Sequence, residues 1–259
     1  MSPSNSDISH SLFYALMHRK TLTPISSEIH NFTIDDAYEV SKQFLSLRLK
    51  NGEKIIGKKI GVTSKVVQEM LGVHQPDFGF LTDAMQVKNR SKVKLDTLIQ
   101  PRAEAEIAFI LSKDLNGPGI TKEDVINSTQ AIVPCFEIVD SRINNWEIKI
   151  EDTVADNASC GIFCLSDQSV NPGDFDLATL EARVFKNGNQ ISSGLGSAVQ
   201  GHPAEAVAWL ANTLGNYGIS LNKNDIILSG SLVPLEPILS GDEFRMEIIG
   251  VGGCELTFI

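Results

Sequence analysis

Two apolar segments of this chain carry acidic side chains, and this combination restricts the possible folds more than any other feature. Glu104 and Glu106 lie within residues 102–111, and Glu137 lies within residues 131–139. Both segments have the length and the apolar content of strands in a protein core. An unpaired carboxylate in a core costs several kcal/mol of folding free energy. The chain must therefore bring these side chains to a shared positive partner.

The spacing of the first two glutamates suits a single binding site. Residues two apart on a strand project from the same face, so Glu104 and Glu106 point to one side. Glu137 supplies a third carboxylate if the two strands are neighbours. Oxygen-only ligands favour hard divalent cations such as Mg²⁺ or Mn²⁺, and three protein ligands leave positions for water and substrate. The sequence predicts a metal site at Glu104, Glu106 and Glu137.

A purely structural role for the same residues is the alternative. Alternating charges are common on half-exposed antiparallel strands, so Glu104 and Glu106 could face solvent. Glu137 could then form an ion pair with Arg102 or Arg142, although the apolar residues on both of its flanks argue against an exposed position. A zinc site is not expected, because the five histidines lack the close spacing of zinc ligands.

The composition predicts a soluble globular protein. With 259 residues, of which 42% are hydrophobic, the chain can form one large domain, or a domain with a smaller appendage, around a substantial core. Its net charge of -10 and the absence of basic runs argue against nucleic acid or a membrane as a partner, and favour a small molecule. We find no signal segment and no apolar stretch of membrane-spanning length. The four cysteines form no CxxC pair, so we expect reduced, buried thiols in the cytoplasm.

The N-terminal fifth of the chain is predicted to be mainly helical. Residues 6–19 form one predicted helix, and residues 33–50 form a second, because a Thr-x-x-Asp capping box precedes apolar residues at helical spacing. A strand over 54–61 and a short helix over 63–71 follow.

Strands dominate the remainder of the chain. The predicted strands cover residues 99–112, 131–140, 160–166, 179–186, 189–193, 225–230, 243–250 and 253–259. The Asn-Gly pair at 187–188 predicts a tight hairpin between two of them. Two helices interrupt the strands, one after a capping box at 121–124 and one from 203 to about 217.

This order of elements is not a regular βαβ alternation. It predicts an α+β fold with a mixed, curled β-sheet core. We expect residues 1–72 to form a smaller helix-rich N-terminal part, and residues 73–259 to form the β-rich, metal-binding catalytic core.

Two adjacent lysines and one aspartate are further candidates for a site. Lys58 and Lys59 are neighbours on a predicted strand, so only one of them can face a given pocket. Two solvated lysines are the ordinary alternative. Asp77 lies in a turn bounded by Pro76 and Gly79, where an aspartate usually caps its own backbone unless a cleft lies beside it.

Two clusters of small polar residues could bind a carboxylate through hydroxyl and backbone N–H groups. One cluster contains Ser159 and precedes a strand, and the other contains Ser229 and Ser231 and follows one. Either could equally be an ordinary turn. The dinucleotide fingerprint and the Walker loop are missing. The nucleophile elbow is also missing around Ser159, which argues against a covalent serine mechanism.

Six motifs taken together resemble one enzyme family. They closely resemble the 2-hydroxypenta-2,4-dienoate hydratases, which belong to the hydratase/decarboxylase family related in fold to fumarylacetoacetate hydrolase. The similarity runs almost from end to end, and it depends on the order of the motifs more than on any one of them. The motifs cover residues 57–63, 72–79, 102–109, 137–142, 152–161 and 229–234.

The resemblance implies an activity and a site. It implies a cytoplasmic enzyme that adds water to 2-hydroxypenta-2,4-dienoate to give 4-hydroxy-2-oxopentanoate, with Mg²⁺ or Mn²⁺ as cofactor. The reaction belongs to the meta-cleavage catabolism of aromatic compounds, and the fold is expected to be of the fumarylacetoacetate hydrolase C-terminal type. By position, the family's site falls on the metal ligands Glu104, Glu106 and Glu137, on the active-site residues Lys59 and Asp77, and on Ser159 in the small-residue loop.

Two other functions remain open. The 4-oxalocrotonate decarboxylases resemble this chain across most of the same motifs, and they release CO₂ from a metal-bound 2-oxo acid. A non-catalytic partner subunit is the second, because the hydratase and the decarboxylase of this family associate. The resemblance also implies a homo-oligomer and a complex with a 4-oxalocrotonate decarboxylase, although the surface pattern alone gives no stoichiometry.

Overall fold

The fold combines two β-sheets with helices that are concentrated near the N-terminus. The computed structural model describes residues 3–259, except for the side chains of Val66 and Met70. Met1 and Ser2, which begin the predicted helix-rich part, lie outside the described residues. The helices are α1 (Asn5–His18), α2 (Ile25–Glu28), α3 (Ile34–Lys50), α4 (Lys65–Leu71), α5 (Lys122–Asn127), α6 (Ile150–Ala155) and α7 (Pro203–Gly215).

Strands form a larger and a smaller sheet. They are β1 (Ile55–Gly61), β2 (Asp77–Thr82), β3 (Gln86–Val87), β4 (Lys92–Val93), β5 (Pro101–Leu111), β6 (Thr129–Asp140), β7 (Cys160–Leu165), β8 (Glu181–Lys186), β9 (Asn189–Leu195), β10 (Ile226–Ser231), β11 (Glu236–Pro237), β12 (Glu243–Ile248) and β13 (Gly252–Phe258). The eight-stranded sheet has the order β2-β1-β10-β5-β6-β7-β3, and β11 pairs with β5. The five-stranded sheet has the order β4-β13-β12-β8-β9. Parallel pairs β1–β10, β3–β7 and β4–β13 make both sheets mixed.

The main core lies between the two sheets. Phe136 of β6 meets Phe244 of β12 edge to face, with ring centroids 6.3 Å apart. On the opposite face of the larger sheet, a second apolar cluster includes Ala108, Cys135 and Leu228. Because side chains alternate along a strand, this second face also carries the glutamates of β5 and β6.

The N-terminal helices pack on a core of their own. Leu12 of α1, Phe44 of α3 and Val154 of α6 belong to one buried cluster. The hydroxyl of Thr33 accepts the N–H of Asp36 at 3.1 Å, so the predicted capping box at the start of α3 is confirmed. None of the described helices has the length and apolar character needed to cross a membrane.

The predicted α+β fold with a mixed, curled sheet is confirmed. The hairpin between β8 and β9 is confirmed as well, because Asn187 and Gly188 both have positive φ values, 52° and 82°. Strand β1 belongs to the predicted N-terminal part, yet it lies between β2 and β10 in the larger sheet. The division at residue 72 stays a prediction, and the larger sheet runs across it.

The turn predicted around Asp77 is wrong. Asp77 is the first residue of β2, which pairs antiparallel with β1. In the sequence Gly79 resembles a turn signal, but in the structure it allows a close backbone approach, because a Cβ there would lie 2.5 Å from the carbonyl oxygen of Asn157. A glycine that lies within a strand therefore leads sequence reasoning to predict a turn in place of the strand.

A buried ion pair fixes the connection between β6 and β7. The side chains of Arg142 and Asp156 are both fully buried, and the guanidinium contacts the carboxylate. Arg142 also donates to the carbonyl oxygens of Asp140 at 2.7 Å and of Cys160 at 2.9 Å. The carboxylate of Asp156 in turn accepts the backbone N–H of Arg142 at 2.9 Å. The pair joins the end of β6 to the start of β7.

Replacing Arg142 by methionine should strongly lower the stability of the protein, because it leaves the Asp156 carboxylate buried without a cation. We expect the free energy of unfolding to fall by about 3–5 kcal/mol, measured by urea denaturation at fixed protein concentration. The control is Arg245→Met, since Arg245 pairs with Glu247 at the surface and such pairs contribute at most about 1 kcal/mol. Equal losses in the two variants would contradict a structural role for the buried pair.

Candidate active site

Three glutamates meet where β5 and β6 run side by side. Glu104 and Glu137 are direct cross-strand partners, and Glu106 lies two residues further along β5 on the same face. One carboxylate oxygen from each glutamate lies within 4.8 Å of the other two. Glu106 and Glu137 are fully buried, and Glu104 is half-buried. The strand register thus brings together the three glutamates that the sequence singled out.

A backbone N–H group anchors one of these carboxylates. Gly230 donates its N–H to Oε2 of Glu106 at 2.8 Å. Gly230 has a φ of 109°, and a Cβ at this position would lie 2.4 Å from Oγ1 of Thr63, so the geometry requires glycine. Oε1 of Glu106 accepts no hydrogen bond from the described residues, and the carboxylate oxygens of Glu137 accept no well-aligned one, although Oε1 of Glu137 lies within ion-pair distance of a lysine.

Burial disfavours the charged form of all three carboxyl groups. It raises the pKa of Glu104 to about 8, and the nearby Glu137 carboxylate adds to the effect. It raises the pKa of Glu106 well above its ordinary value, and it also raises the pKa of Glu137. A cation among the carboxylates would offset this penalty. The unsatisfied oxygens and the all-oxygen donor set fit a hard divalent cation such as Mg²⁺ or Mn²⁺.

Lys59 reaches the same cluster from β1. Its Nζ lies 3.2 Å from Oε1 of Glu137, and the side chain is buried. Burial alone would lower the pKa of Lys59, but the carboxylates of Glu137, Asp77 and Glu104 outweigh burial and raise that pKa above its ordinary value. Lys59 is therefore a positively charged member of the site.

Lys58 points to the other side of β1, as adjacent positions on a strand require. Its ammonium pairs with the carboxylate of Asp225, and it also donates to the carbonyl oxygen of Ser220 at 3.3 Å. Lys58 and Lys59 are 3% and 2% exposed, so the alternative of two solvated lysines is wrong. Only Lys59 reaches the glutamates.

Asp77 lies beside Lys59 at the start of β2. The hydroxyl of Thr153 donates to Oδ2 of Asp77 at 2.7 Å. The other oxygen, Oδ1, is buried and accepts no hydrogen bond from the described residues. A Cβ on Gly61 would lie 2.3 Å from this Oδ1 and 3.2 Å from Nζ of Lys59. Glycine at position 61 therefore leaves space between two functional groups that face the same point.

Ser159 lies in a backbone segment with rare dihedral angles. Asn157, Ala158 and Ser159 have φ values of 54°, 50° and 52°, in the left-handed region that side chains disfavour. The amide of Asn157 stabilises the segment, because it accepts the N–H of Phe80 at 2.8 Å and donates to the carbonyl oxygen of Phe80 at 3.0 Å. The segment contacts β1 and β2, the strands that carry the lysine and the aspartate of the site. Consecutive strained residues of this kind occur mostly at functional sites.

Ser229 and Ser231 flank Gly230 at the end of β10. Ser231 is the cross-strand partner of Glu106, and its hydroxyl donates to the carbonyl oxygen of Val233 at 2.7 Å. The hydroxyl of Ser229 is buried and has no hydrogen-bond partner among the described residues. Both serines are thus close to β5, and their roles in substrate binding stay predictions.

The observed contacts do not support the purely structural alternative, in which the glutamates face solvent and Glu137 pairs with an arginine. Arg142 forms its ion pair with the aspartate that precedes β7, not with Glu137. The guanidinium of Arg102 lies over the ring of Trp146, 4.6 Å from its centroid. Glu106 and Glu137 are buried, so neither faces solvent.

Apolar groups and thiols surround the cluster. Cys135 is the cross-strand partner of Glu106, and it packs with Phe163 and Leu228 in the apolar cluster on this face. The four cysteines are free and buried, which confirms the prediction of buried thiols. The glutamates therefore lie in surroundings that exclude most water.

Two contributions to the site were not found by sequence reasoning. Thr153 and Asp77 are separated by 76 residues, and a lone threonine in a short helix has no local signal that marks it as a hydrogen-bond donor to a distant strand. The N–H of Gly230 was also missed, because a cluster of small polar residues does not indicate which backbone group turns inward. Both residues lie within motifs that carried the family resemblance.

Sequence relatives cover almost the whole chain. A 2-hydroxyhexa-2,4-dienoate hydratase of Comamonas testosteroni is 58% identical over 95% of this chain and 94% of its own length. A 2-hydroxypent-2,4-dienoate hydratase of Pseudomonas putida is 55% identical over 83% of this chain and 97% of its own length. These similarities confirm the resemblance predicted from the motifs.

One solved structure superposes over nearly the full length. A 4-oxalocrotonate decarboxylase from Pseudomonas putida G7, complexed with magnesium and adipate, has a TM-score of 0.96 and 31% sequence identity. The superposition covers 98% of this chain and 97% of the decarboxylase. The fold described above is therefore shared with an enzyme that binds a divalent cation.

The match to a known family extends over most of the chain. Residues 61–259 match the fumarylacetoacetate (FAA) hydrolase C-terminal family, and they include every candidate site residue except Lys58 and Lys59. Strand β1, which carries Lys59, ends at the first residue of the match. The chain therefore belongs to the fumarylacetoacetate hydrolase C-terminal family.

Proposed function

We propose that this chain is a metal-dependent hydratase that adds water to 2-hydroxypenta-2,4-dienoate and gives 4-hydroxy-2-oxopentanoate. The observation that carries the proposal is the convergence of three buried glutamates beside Lys59 and Asp77. Two relatives that share more than half of the sequence are named for the hydration of dienoates of this type. The enzyme is a hydro-lyase of meta-cleavage catabolism of aromatic compounds.

Glu104, Glu106 and Glu137 would hold Mg²⁺ or Mn²⁺. The bound cation would supply positive charge that stabilises the carboxylate and the C2 oxygen of a 2-oxo or 2-enol acid. The magnesium in the superposed decarboxylase supports a divalent ion in this fold. The donor set of three carboxylates supports a hard cation over zinc or copper.

Lys59 and Asp77 would manage protons and water at the distal end of the substrate. The dienol must gain a proton at C5 as its C2 hydroxyl loses one, and then it must gain a hydroxyl group at C4 and a proton at C3. Oδ1 of Asp77 has no hydrogen bond while Thr153 fixes Oδ2, so Asp77 is suited to hold the attacking water. The ammonium of Lys59 lies beside Glu137 and the space left at Gly61, so it is placed to carry a proton close to the reacting carbons.

Ser159, Ser229 and Ser231 would bind the substrate carboxylate through hydroxyl and backbone N–H groups. The partnerless, buried hydroxyl of Ser229 supports this role, because a buried hydroxyl is normally hydrogen-bonded. The position of Ser231 opposite Glu106 places it next to the carboxylates that would hold the cation.

The assembly that we propose is a homo-oligomer in the cytoplasm, which also associates with a 4-oxalocrotonate decarboxylase. This part of the proposal rests on the family resemblance of the sequence motifs.

Removing the metal should abolish activity. We expect EDTA-treated protein to lose hydration of the dienoate and to regain it with Mg²⁺ or Mn²⁺. Glu106→Gln should weaken Mn²⁺ binding to the metal-free protein by at least about 10- to 100-fold, the range for losing even an outer partner of a metal ligand. Isothermal titration calorimetry measures this affinity, and Glu243→Gln, an exposed position on β12, is the control. Full activity of the metal-free enzyme would refute the metal's role.

Changes at Asp77 and Thr153 should separate chemistry from binding. Asp77→Asn should lower kcat by about 10²- to 10⁴-fold, because it removes a proton-accepting group, while Mn²⁺ affinity stays unchanged. Thr153→Val should lower kcat less, and Thr153→Ser, which keeps the hydroxyl, should restore it. Steady-state kinetics with the dienoate measure kcat and KM separately. An unchanged kcat in Asp77→Asn would exclude the aspartate from the reaction.

Two substrates, supplied separately, distinguish hydration from decarboxylation. We expect the metal-loaded protein to convert 2-hydroxypenta-2,4-dienoate to 4-hydroxy-2-oxopentanoate, followed by absorbance and chromatography. We expect no CO₂ from 2-oxohex-3-enedioate. Release of CO₂ without hydration would identify a decarboxylase. Turnover of neither substrate by metal-loaded protein would identify a non-catalytic partner subunit.

A further inference from the structure

One cation on the sheet face that carries the glutamates has no acidic partner. Arg102 lies on β5, two residues before Glu104 and four before Glu106, so the three side chains project from the same face. Its cross-strand neighbours on this face are Val139 of β6 and Pro237 of β11, and both are apolar. Burial lowers the pKa of Arg102, and no carboxylate among the described residues lies within ion-pair distance to offset that effect. The mechanism proposed above gives this guanidinium no role.

An aromatic ring, and not an acid, holds the guanidinium in place. The group lies over the indole of Trp146, 4.6 Å from the ring centroid, in a cation–π contact. This contact leaves its N–H groups without an acceptor among the described residues. Nε1 of Trp146 donates to the carbonyl oxygen of Gln100 at 3.0 Å, and the side chain of Gln100 donates to the carbonyl oxygen of Ser141 at 2.9 Å. The ring is therefore fixed to the segments that lead into β5 and out of β6.

The backbone that carries this ring is strained. Asn145 and Trp146 have φ values of 53° and 58°, in the left-handed region that is rare for a bulky side chain. Such strain persists only where the surrounding structure imposes it, and it occurs mostly at functional sites. Here the strained turn and the indole hydrogen bond together place one ring over one cation.

The exposure of side chains along β5 indicates where the site opens. Glu106 is fully buried and Glu104 is half-buried. Arg102, further toward the start of the strand, is half-buried beside the exposed Pro237. This face of β5 thus becomes accessible to solvent in the direction of Arg102. A ligand that approaches the glutamates from this side passes the guanidinium.

The charges around the site favour a further cation for an anionic ligand. The whole chain has a net charge of -10, which repels an anion at long range. A divalent cation and Lys59 would balance the three glutamates, whereas the carboxylate of Asp77 adds a negative charge. A 2-oxo or 2-enol acid brings another carboxylate into these surroundings. A guanidinium can bind that carboxylate through two parallel N–H···O bonds while its face rests on an aromatic ring.

We propose that Arg102, held against Trp146, binds the carboxylate of the incoming substrate at the entrance to the site. The carboxylate would meet the guanidinium first and would then move to the cation among the glutamates, two residues or roughly 7 Å further along β5. Arg102 is then a substrate-binding residue, and Trp146 is a positioning residue. This inference rests on the proposed hydratase function, whose substrate is a 2-enol acid.

The first test measures binding without turnover. The probe is 2-oxopentanoate, which keeps the carboxylate and the C2 oxygen of the substrate but has no double bond to hydrate. Isothermal titration calorimetry of the Mn²⁺-loaded protein gives its Kd. We expect Arg102→Met to raise this Kd by at least about 10-fold, the range for loss of a hydrogen bond between charged groups. The matched control is Arg245→Met, because Arg245 also lies over a ring, 3.8 Å from the centroid of Phe185, but belongs to the smaller sheet.

Steady-state kinetics with 2-hydroxypenta-2,4-dienoate give the second test. At an ionic strength of about 0.01 M, Arg102→Met should lower kcat/KM by at least about 10-fold, mostly through KM, and kcat should change by less than about 3-fold. A lower kcat with an unchanged KM would overturn the proposal.

The dependence on salt distinguishes substrate binding from a purely structural role. Raising the ionic strength from about 0.01 M to about 0.1 M shortens the Debye length from about 30 Å to about 10 Å. The kcat/KM of the wild type and of Arg245→Met should fall by about 3-fold over this range. That of Arg102→Met should not fall, because the remaining net charge repels the anion. Arg102→Lys, which keeps the charge, should recover the fall with salt.

The outcomes separate this inference from the hydratase function. A wild type that hydrates no dienoate, but binds 2-oxopentanoate more tightly than Arg102→Met does, overturns the hydratase function and supports the role of Arg102. A wild type that hydrates the dienoate, combined with equal Kd values and equal salt dependence in Arg102→Met and Arg245→Met, overturns the role of Arg102 alone. If Arg102→Met does not fold, judged by circular dichroism, Trp146→Leu decides. We expect that variant to raise the Kd of 2-oxopentanoate by at least about 3-fold, and an unchanged Kd overturns the proposal.

Discussion

The burial of three carboxylates on two paired strands is the constraint on which the rest of the site depends. The antiparallel register of β5 and β6 places Glu104 opposite Glu137 and leaves Glu106 on the same face. Each charged carboxylate so placed loses several kcal/mol of hydration. Lys59 balances part of this charge, and the three glutamates with Lys59 leave two negative charges that one divalent cation would balance. The need for a cation therefore follows from the strand register itself.

Backbone geometry and buried polar groups support this arrangement. The N–H of Gly230 holds Glu106, and the lack of a side chain at Gly61 leaves space between Lys59 and Asp77. The ion pair between Arg142 and Asp156 joins the end of β6 to the segment that precedes β7, and so fixes the position of that segment. The site is thus built on strands and on short hydrogen-bonded connections, which favours a constant geometry during a reaction that moves protons over short distances.

Local patterns in the sequence predicted a large part of the fold and of the site. The alternation of Glu104 and Glu106 along an apolar strand, and the opposed directions of Lys58 and Lys59, follow from a two-residue period and need no tertiary information. Pairings between distant segments were beyond this reasoning. The contact of Thr153 with Asp77 and the ion pair of Arg142 depend on how helices and strands meet in space, and no local pattern encodes them. Glu137 pairs with Lys59 and not with an arginine, and this choice of partner also depends on the order of the strands in the sheet.

The most direct measurement is the anomalous scattering of Mn²⁺ in crystals of the protein grown with that ion. We predict one strong peak among the carboxylates of Glu104, Glu106 and Glu137, with an oxygen from each within about 2.0–2.6 Å of the ion, the range for hard divalent cations. The absence of a peak at these carboxylates, or a peak bound only by other residues, would contradict a metal site built from the paired strands.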